Sequence, residues 1–426
     1  MPPSLSKDDS NSFPSGNGLF CLPQMDSFPE RKLYSALREF QEGNILLTFY
    51  LIHLFCISMK TWPDEKCAWL ALYMIPGLGN IALKNLLEKF GNPEGIFQAG
   101  IQELAMVEGV HKEIAQKIVS REFASDPEEE LGKVEKCSAR IITYLDPSYP
   151  RLLKEIHHPP MLLYVKGKDI PVYQTFVAIV GSRNPTHYGL KVAERFGVGL
   201  ASRGVGVVSG LARGIDSAAH RGCLRGGGFT IAVLGTGIDI VYPAGNKKLL
   251  EQIMESGAVM SEFHTGTPPE PKNFPIRNRI ISGLSRGVAV VEATKKSGSL
   301  ITASFALDQG REVFAVPGSI DSFKSTGTHF LIKQGAKLIE NADDILDEFG
   351  FSDRPVQESK VSGGEGMPLE LDETERKIYE IIGDYPMHID QIVRMGDMDV
   401  GEVSSTLMKM ELMGIVKQLV GKMFVR

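Results

Sequence analysis

Four short loops in this 426-residue chain carry the residue types that grip an anion. They are Gly181-Ser182-Arg183, Ser209-Gly210-Leu211-Ala212-Arg213-Gly214, Gly235-Thr236-Gly237 and Ser297-Gly298-Ser299. Turns of glycine and serine leave backbone N–H groups free to point at a phosphate, and an arginine beside them adds a forked, charge-assisted donor. A fifth cluster, Lys272-Asn273-Phe274-Pro275-Ile276-Arg277-Asn278-Arg279, sets an aromatic ring among cations. A base stacked on a ring while cations hold the backbone is the usual way to retain a single nucleic acid strand.

The elements that must position these loops are legible. Each of the first four loops follows an apolar run: Phe176–Val180, Val205–Val208, Thr230–Leu234 and Val288–Val291. Parallel strands buried on both faces read as such continuous runs. Their carboxyl ends collect on one sheet edge, where open α/β sheets bind ligands. Helical stripes follow: Leu190, Ala193, Phe196 and Leu200; then Ile215, Ala218, Ala219 and Gly222; then Leu300, Ala303, Ser304 and Leu307. Further strand candidates are 161–165, 258–260, 312–316 and 337–339. Strand–helix alternation over so long a stretch predicts an extended Rossmann-like, doubly wound and mainly parallel sheet over residues 146–350.

Pro275 is a fair helix start, which would put Arg277, Asn278 and Arg279 in a first turn, where cations oppose the helix dipole. An anion would relieve that cost. So would a structural ion pair with Glu262 or Glu292, with Phe274 then part of the core.

Other chemistries find less support. No GxGxxG fingerprint occurs; Gly235 and Gly237 have Ile240 where the third glycine belongs. Asp216 and His220 stand four apart on one helix face, a spacing that suits a surface contact better than a catalytic pair. Ser209, Ser297 and Ser299 lack a GxSxG elbow or a visible relay. The pair His157-His158 has no companion at metal-ligand spacing. Five scattered cysteines form no CxxC pattern, so neither a disulfide framework nor a zinc site is expected, and a reducing cytoplasm is the expected compartment. No metal, no cofactor and no enzyme activity are expected. The alternative is a nucleotide hydrolase on a related fold, with Glu292 and Arg279 as the reactive pair.

The net charge of −6 conceals an asymmetry. Residues 151–345 hold 23 Lys and Arg against 16 Asp and Glu, so the loop-bearing region is the basic part of an acidic chain. A polyanionic partner is the natural reading of such a field. The apolar run from Ile45 to Ile57 is shorter than the ~18–20 residues a spanning helix needs, so no membrane partner is expected. Residues 1–58, rich in Ser, Pro and Gly ahead of that run, read as a disordered or non-native extension, with Met59 as the expected start.

Residues 59–145 read as a helical domain. Ile75-Pro76-Gly77-Leu78-Gly79 is shaped like a helix-hairpin-helix turn, and Val107-Glu108-Gly109-Val110-His111 is a weaker copy with His111 in place of the second glycine. Such turns either approach a phosphate or simply pack; the balanced local charge favours packing. Residues 351–368 are a polar, Gly-containing linker. Residues 369–426 show three helices and a terminal hairpin, the order of a winged helix-turn-helix. That domain holds 7 basic and 11 acidic groups, and its third helix carries a single base, Lys409. Duplex binding requires phosphate neutralisation, so the tail is expected to contact protein rather than read duplex DNA.

One ordered series of motifs makes these features specific. It runs Ile179–Arg183, Ser209–Asp216 with His220, Tyr242-Pro243 with Asn246, Ser261-Glu262, Phe274-Pro275 with Arg277–Ser282, Glu292 with Ser297–Ser299 and Thr302, and Pro317-Gly318. Together these resemble the DNA-processing protein A family, also called the Smf family, over about residues 62–426. The resemblance implies a single-stranded-DNA-binding Rossmann-like core, a homodimer, and loading of the RecA recombinase onto incoming single strands in natural transformation. It implies a DNA groove formed by Gly181, Ser182, Arg183, Gly210, Arg213, Gly214, Lys272, Phe274, Arg277, Asn278 and Arg279, and further by Lys247, Ser297, Gly298 and Ser299. It places dimer contacts late in the core, near residues 305–338.

Overall fold

The computed structural model describes residues 62, 64–171, 174–351, 371–382 and 386–425. The expected extension at 1–58 and nearly all of the linker lie outside the described residues.

Among the described residues six helices come first: α1 (Glu65–Tyr73), α2 (Asn80–Phe90), α3 (Pro93–Gln98), α4 (Ile101–Ala105), α5 (Lys112–Ser120) and α6 (Pro127–Lys136). Asp64, Asn92 and Asp126 cap three of them by accepting from backbone N–H groups two or three residues on. The two hairpin turns bury Ile75, Val107 and Val110 in this helical layer, while Gly77, Gly79 and Gly109 stay exposed. Gly109 has a φ of 83°, and a Cβ there would stand 3.3 Å from the Cβ of Ala82 in α2. Trp69, Leu72, Leu83 and Leu86 share one apolar core with Ile141 and Leu162 of the neighbouring sheet and Leu249 of the helix at Lys247–Ser256.

A nine-stranded sheet follows, in the order β1-β2-β6-β5-β4-β3-β7-β8-β9. Its strands are β1 (Arg140–Thr143), β2 (Leu162–Gly167), β3 (Phe176–Val180), β4 (Gly206–Ser209), β5 (Thr230–Val233), β6 (Ala258–Ser261), β7 (Gly287–Val290), β8 (Glu312–Ala315) and β9 (Lys337–Leu338). Strands β3 to β9 pair in parallel, and β1 and β2 add antiparallel pairs at one edge. β1 was not anticipated: the sheet begins at residue 140, ahead of the expected boundary at 146.

The connecting helices are α7 (Arg151–Lys154), α8 (His187–Ser202), α9 (Ile215–Arg225), α10 (Lys247–Ser256), α11 (Asn273–Gly283), α12 (Gly298–Asp308), α13 (Thr326–Lys333) and α14 (Asp343–Glu348). β3, β4, β5 and β7 are buried along their whole lengths, as continuous apolar runs require. From β3 the chain winds to β4, β5 and β6 on one side; β7, β8 and β9 build on the other. The order therefore reverses between β3 and β7, and a crevice opens beyond their carboxyl ends.

Residues 373–425 form a winged helix, with α15 (Glu373–Ile381), α16 (Ile389–Gly396) and α17 (Val400–Leu412) beside a three-stranded sheet. The sheet orders β10 (Met387–His388), β12 (Met423–Val425) and β11 (Lys417–Leu419). Ile378, Ile392, Val403, Leu407, Met410 and Phe424 give this domain its own core.

Candidate nucleic-acid interface

The crevice at the switch point is shaped first by backbone. Gly181 ends β3 where a Cβ would stand 2.7 Å from Cγ1 of Ile215 and 3.0 Å from the Glu292 carbonyl oxygen. Gly214 opens α9 at a φ of 84°, a conformation that favours glycine. Between them, residues 181–186 are held by Glu292, which follows β7. Its carboxylate accepts from the Thr186 N–H at 2.9 Å and from the Thr186 hydroxyl. The Thr186 hydroxyl in turn accepts from the Gly189 N–H at 3.1 Å and so caps α8. The loop is thus fixed at both ends, and Arg183 stands exposed at its tip.

The guanidinium of Arg183 lies 5.1 Å from the ring centre of Phe274, in the first turn of α11. Tyr242, 40% exposed, approaches that ring with centroids 5.6 Å apart. Arg183, Phe274 and Tyr242 therefore form a wall of flat groups with an exposed cation at one end. Two cavities share this wall. One, of about 630 Å³, is lined by Gly181, Ser182, Arg183, Asn278, Ser297, Gly298 and Ser299 among others. The other, of about 660 Å³, is lined by Arg183, Gly210, Arg213, Gly235, Thr236 and Tyr242 among others. Arg183 and Arg213 are both exposed, and neither forms an ion pair among the described residues. Ser297 opens α12, its hydroxyl accepting from the Ser299 N–H at 3.4 Å, so the start of that helix faces the first cavity.

Several sequence expectations take a different form. α11 begins at Asn273, two residues before Pro275, so Arg277 and Arg279 lie beyond its first turn. Arg277 is 4% exposed. It donates to the Gly210 carbonyl at 2.8 Å and to the Val233 carbonyl, binding the ends of β4 and β5 together. Burial pushes its pKa down to about 10, against the raising effect of Asp216. It touches both cavities but is a strut, not a free cation. Gly210 exists for it, since a Cβ there would lie 2.5 Å from the guanidinium.

Arg279 points away from the groove. It pairs with Glu262 at 2.5 Å, both side chains nearly buried, which is the structural ion pair allowed for above. With Glu292 given to Thr186, the Glu292–Arg279 pair required by a nucleotide hydrolase does not form. Lys272 is exposed and pairs with Glu270 at 2.7 Å, and neither it nor Lys247 lines either cavity.

Asp216 and His220 are both buried, contrary to a surface contact. Asp216 accepts from the N–H groups of Gly210 at 3.1 Å and Ala212 at 3.4 Å, and burial raises its pKa. His220 contacts the Thr230 hydroxyl at 2.7 Å, and burial pushes its pKa down to about 3.

Four residues in or beside the cavities were not named as groove residues by the sequence reading: Tyr242, Asn184, Lys295 and Lys296. Tyr242 and Asn184 line both cavities. Lys295 and Lys296 are exposed between Thr294 and Ser297, two lining residues. The doublet was visible in sequence; the contact of Tyr242 with the ring of a residue 32 positions later was not.

Comparison with known proteins shows what the chain is similar to. Residues 140–350 match the family described as DNA recombination-mediator protein A, and residues 366–422 match the DprA winged helix domain. A protein Smf of Synechocystis is 36% identical over 398 residues, covering 85% of this chain and 99% of that one. The DNA processing protein DprA of Streptococcus pneumoniae is 49% identical over 207 residues, or 49% of this chain and 73% of that one. An X-ray structure of DNA processing protein A from the same organism superposes with a TM-score of 0.59 at 39% identity, covering 65% of this chain and 95% of that one.

Proposed function

The chain belongs to the DNA recombination-mediator protein A family, the DprA or Smf proteins, and from that membership we propose that it binds single-stranded DNA in the switch-point trough. The observation that carries this reading is the pair of exposed arginines without an ion pair, Arg183 and Arg213, on one cavity whose wall is the tilted Phe274–Tyr242 ring pair. Cations serve the backbone and a flat wall serves the bases, the sequence-tolerant way of holding a single strand. The protein acts as a binder, not a catalyst, protecting incoming strands and passing them to the RecA recombinase during DNA uptake.

A homodimer fits the exposed apolar side chains on and near the β8–β9 edge, namely Leu307, Ile320, Phe323, Phe330 and Leu338. The winged helix fits a protein contact better than a duplex. Lys409, the sole base of α17, is engaged with Glu375 at 2.7 Å and Asp372 at 3.4 Å. The same helix and its surroundings expose Val400, Met408, Leu412 and Met413.

The test is a titration of labelled single- and double-stranded oligonucleotides at two salt concentrations. Single strands are expected to bind more tightly, with a log–log slope of about −0.7 per phosphate contact. Equal or tighter duplex binding refutes the trough reading. Sedimentation of the parent and of Leu338→Arg tests the dimer; a parent that sediments as a monomer refutes it.

A further inference from the structure

We propose that the N-terminal helical domain braces the groove through Glu262, making Asn80 and Glu262 positioning residues for single-strand binding. The proposal rests on the trough reading above.

Glu262 follows β6 and is 4% exposed. Three groups from two sides of the molecule converge on it. Asn80, at the start of α2, donates its side-chain N–H to Oε1 at 2.8 Å. Arg279 donates to the same oxygen at 2.5 Å. The Tyr73 hydroxyl, at the end of α1, donates to the Glu262 backbone carbonyl at 2.8 Å. The hairpin turn that could have offered its leading end to a phosphate thus delivers a donor to an internal carboxylate.

Arg279 transmits this hold. Successive residues on a helix are turned by about 100°, so Arg277 and Arg279 face nearly opposite ways. One side of α11 carries Phe274 and Arg277 to the cavities, and the other carries Arg279 to Glu262. The Gln309 amide just past α12 donates to the Arg279 carbonyl at 3.0 Å. The helix whose start holds Ser297, Gly298 and Ser299 is therefore tied to the same residue. Both helical walls of the first cavity are thus linked through Arg279 to Glu262, the residue that Asn80 and Tyr73 hold.

The cluster is not built for stability. A buried ion pair roughly breaks even against its desolvation. Here Glu262 Oε2 and Arg279 Nη1 are buried without a hydrogen-bond partner among the described residues, because the donors crowd onto Oε1. What the pair supplies is a fixed rotation and depth for α11, and hence for the ring that receives a base.

The experiment measures binding of a fluorescent oligothymidylate to the full chain across a salt series, with a thermal melt on each sample. Asn80→Ala leaves the ion pair in place and is expected to weaken binding about three- to tenfold, with the salt slope unchanged. Glu262→Gln is expected to weaken it about tenfold or more. Arg279→Lys should recover much of the binding that Arg279→Gln loses. If Arg279→Gln instead flattens the slope by about 0.7, as one lost phosphate contact would, Arg279 touches DNA and the brace is wrong. If Asn80→Ala and Glu262→Gln are folded and bind like the parent, it is wrong again; if Glu262→Gln does not fold, Asn80→Ala alone decides. A parent with no preference for single strands removes the trough reading and the brace together, a result distinct from either.

Discussion

Gly210→Ala is the sharpest test of the groove's architecture. Its Cβ would stand 2.5–2.6 Å from three atoms of the Arg277 guanidinium. An ordinary van der Waals contact needs about 3.4 Å or more, so the guanidinium must retreat by nearly 1 Å. It has little room, since Nη1 already bonds the Gly210 carbonyl at 2.8 Å and the Val233 carbonyl as well. Overpacking typically costs about 1–3 kcal/mol. A hydrogen bond to a charged group contributes about 1.5–3 kcal/mol, and part of at least one would be lost. The sum is about 2–4 kcal/mol, a large share of the 5–15 kcal/mol that holds a typical domain together. Urea denaturation should show the midpoint falling with the slope of the transition unchanged. Single-strand affinity should fall at least about tenfold, because Arg277 lies against both cavities. Gly298→Ala is the control: its Cβ would meet nothing within 4 Å, and its stability should stay within about 0.5 kcal/mol of the parent. A Gly210→Ala protein as stable as that control, binding DNA like the parent, would refute the assignment of Arg277 as a strut.

Phe274→Ala and Arg183→Ala should both weaken single-strand binding, distinguishably. Loss of one stacked base costs about 1–3 kcal/mol with the salt slope intact, whereas loss of Arg183 flattens the slope by about 0.7; identical slopes for the two variants would contradict the division of labour. Replacing Lys295 and Lys296 together by Ala should flatten it by up to about 1.4, and a parent-like slope would place them outside the strand's path. His220 has its pKa pushed down to about 3 by burial, against about 6.5 unfolded. The unfolded chain therefore takes up the proton first as pH falls, and stability is lost from pH ~6.5 downward to ~3. About 2 kcal/mol should go between pH 7 and pH 5, and His220→Gln should lack that component in pH-dependent urea melts. An unchanged pH dependence in His220→Gln would exclude the assignment.

What the sequence determined by itself was the order and kind of the elements. Continuous apolar runs such as Phe176–Val180 suit strands buried on both faces, as in a parallel sheet, and each was followed within a few residues by a glycine or serine loop. The loops at Gly181–Arg183, Gly210–Gly214 and Ser297–Ser299 therefore fall on one edge by sequence alone, and the winged helix follows from its helix–helix–helix–hairpin order. Two things were not visible. β1 is only four residues long and pairs at the sheet's edge, too short for a periodic signal. The fates of the cations were also hidden, although one clue was available: arginines two apart on a helix cannot face one groove. Which of them faced inward depended on partners remote in sequence. Arg277 found a carbonyl 67 residues back, and Arg279 a carboxylate 17 residues back. Local pattern says that a residue is charged and which helix carries it. Whether that charge meets water, a strand end or a buried acid is set by packing between layers. Arg183 and Arg213 stayed open because they sit on loop tips past the sheet, while the arginines of α11 were carried into the molecule by the helix that holds Phe274.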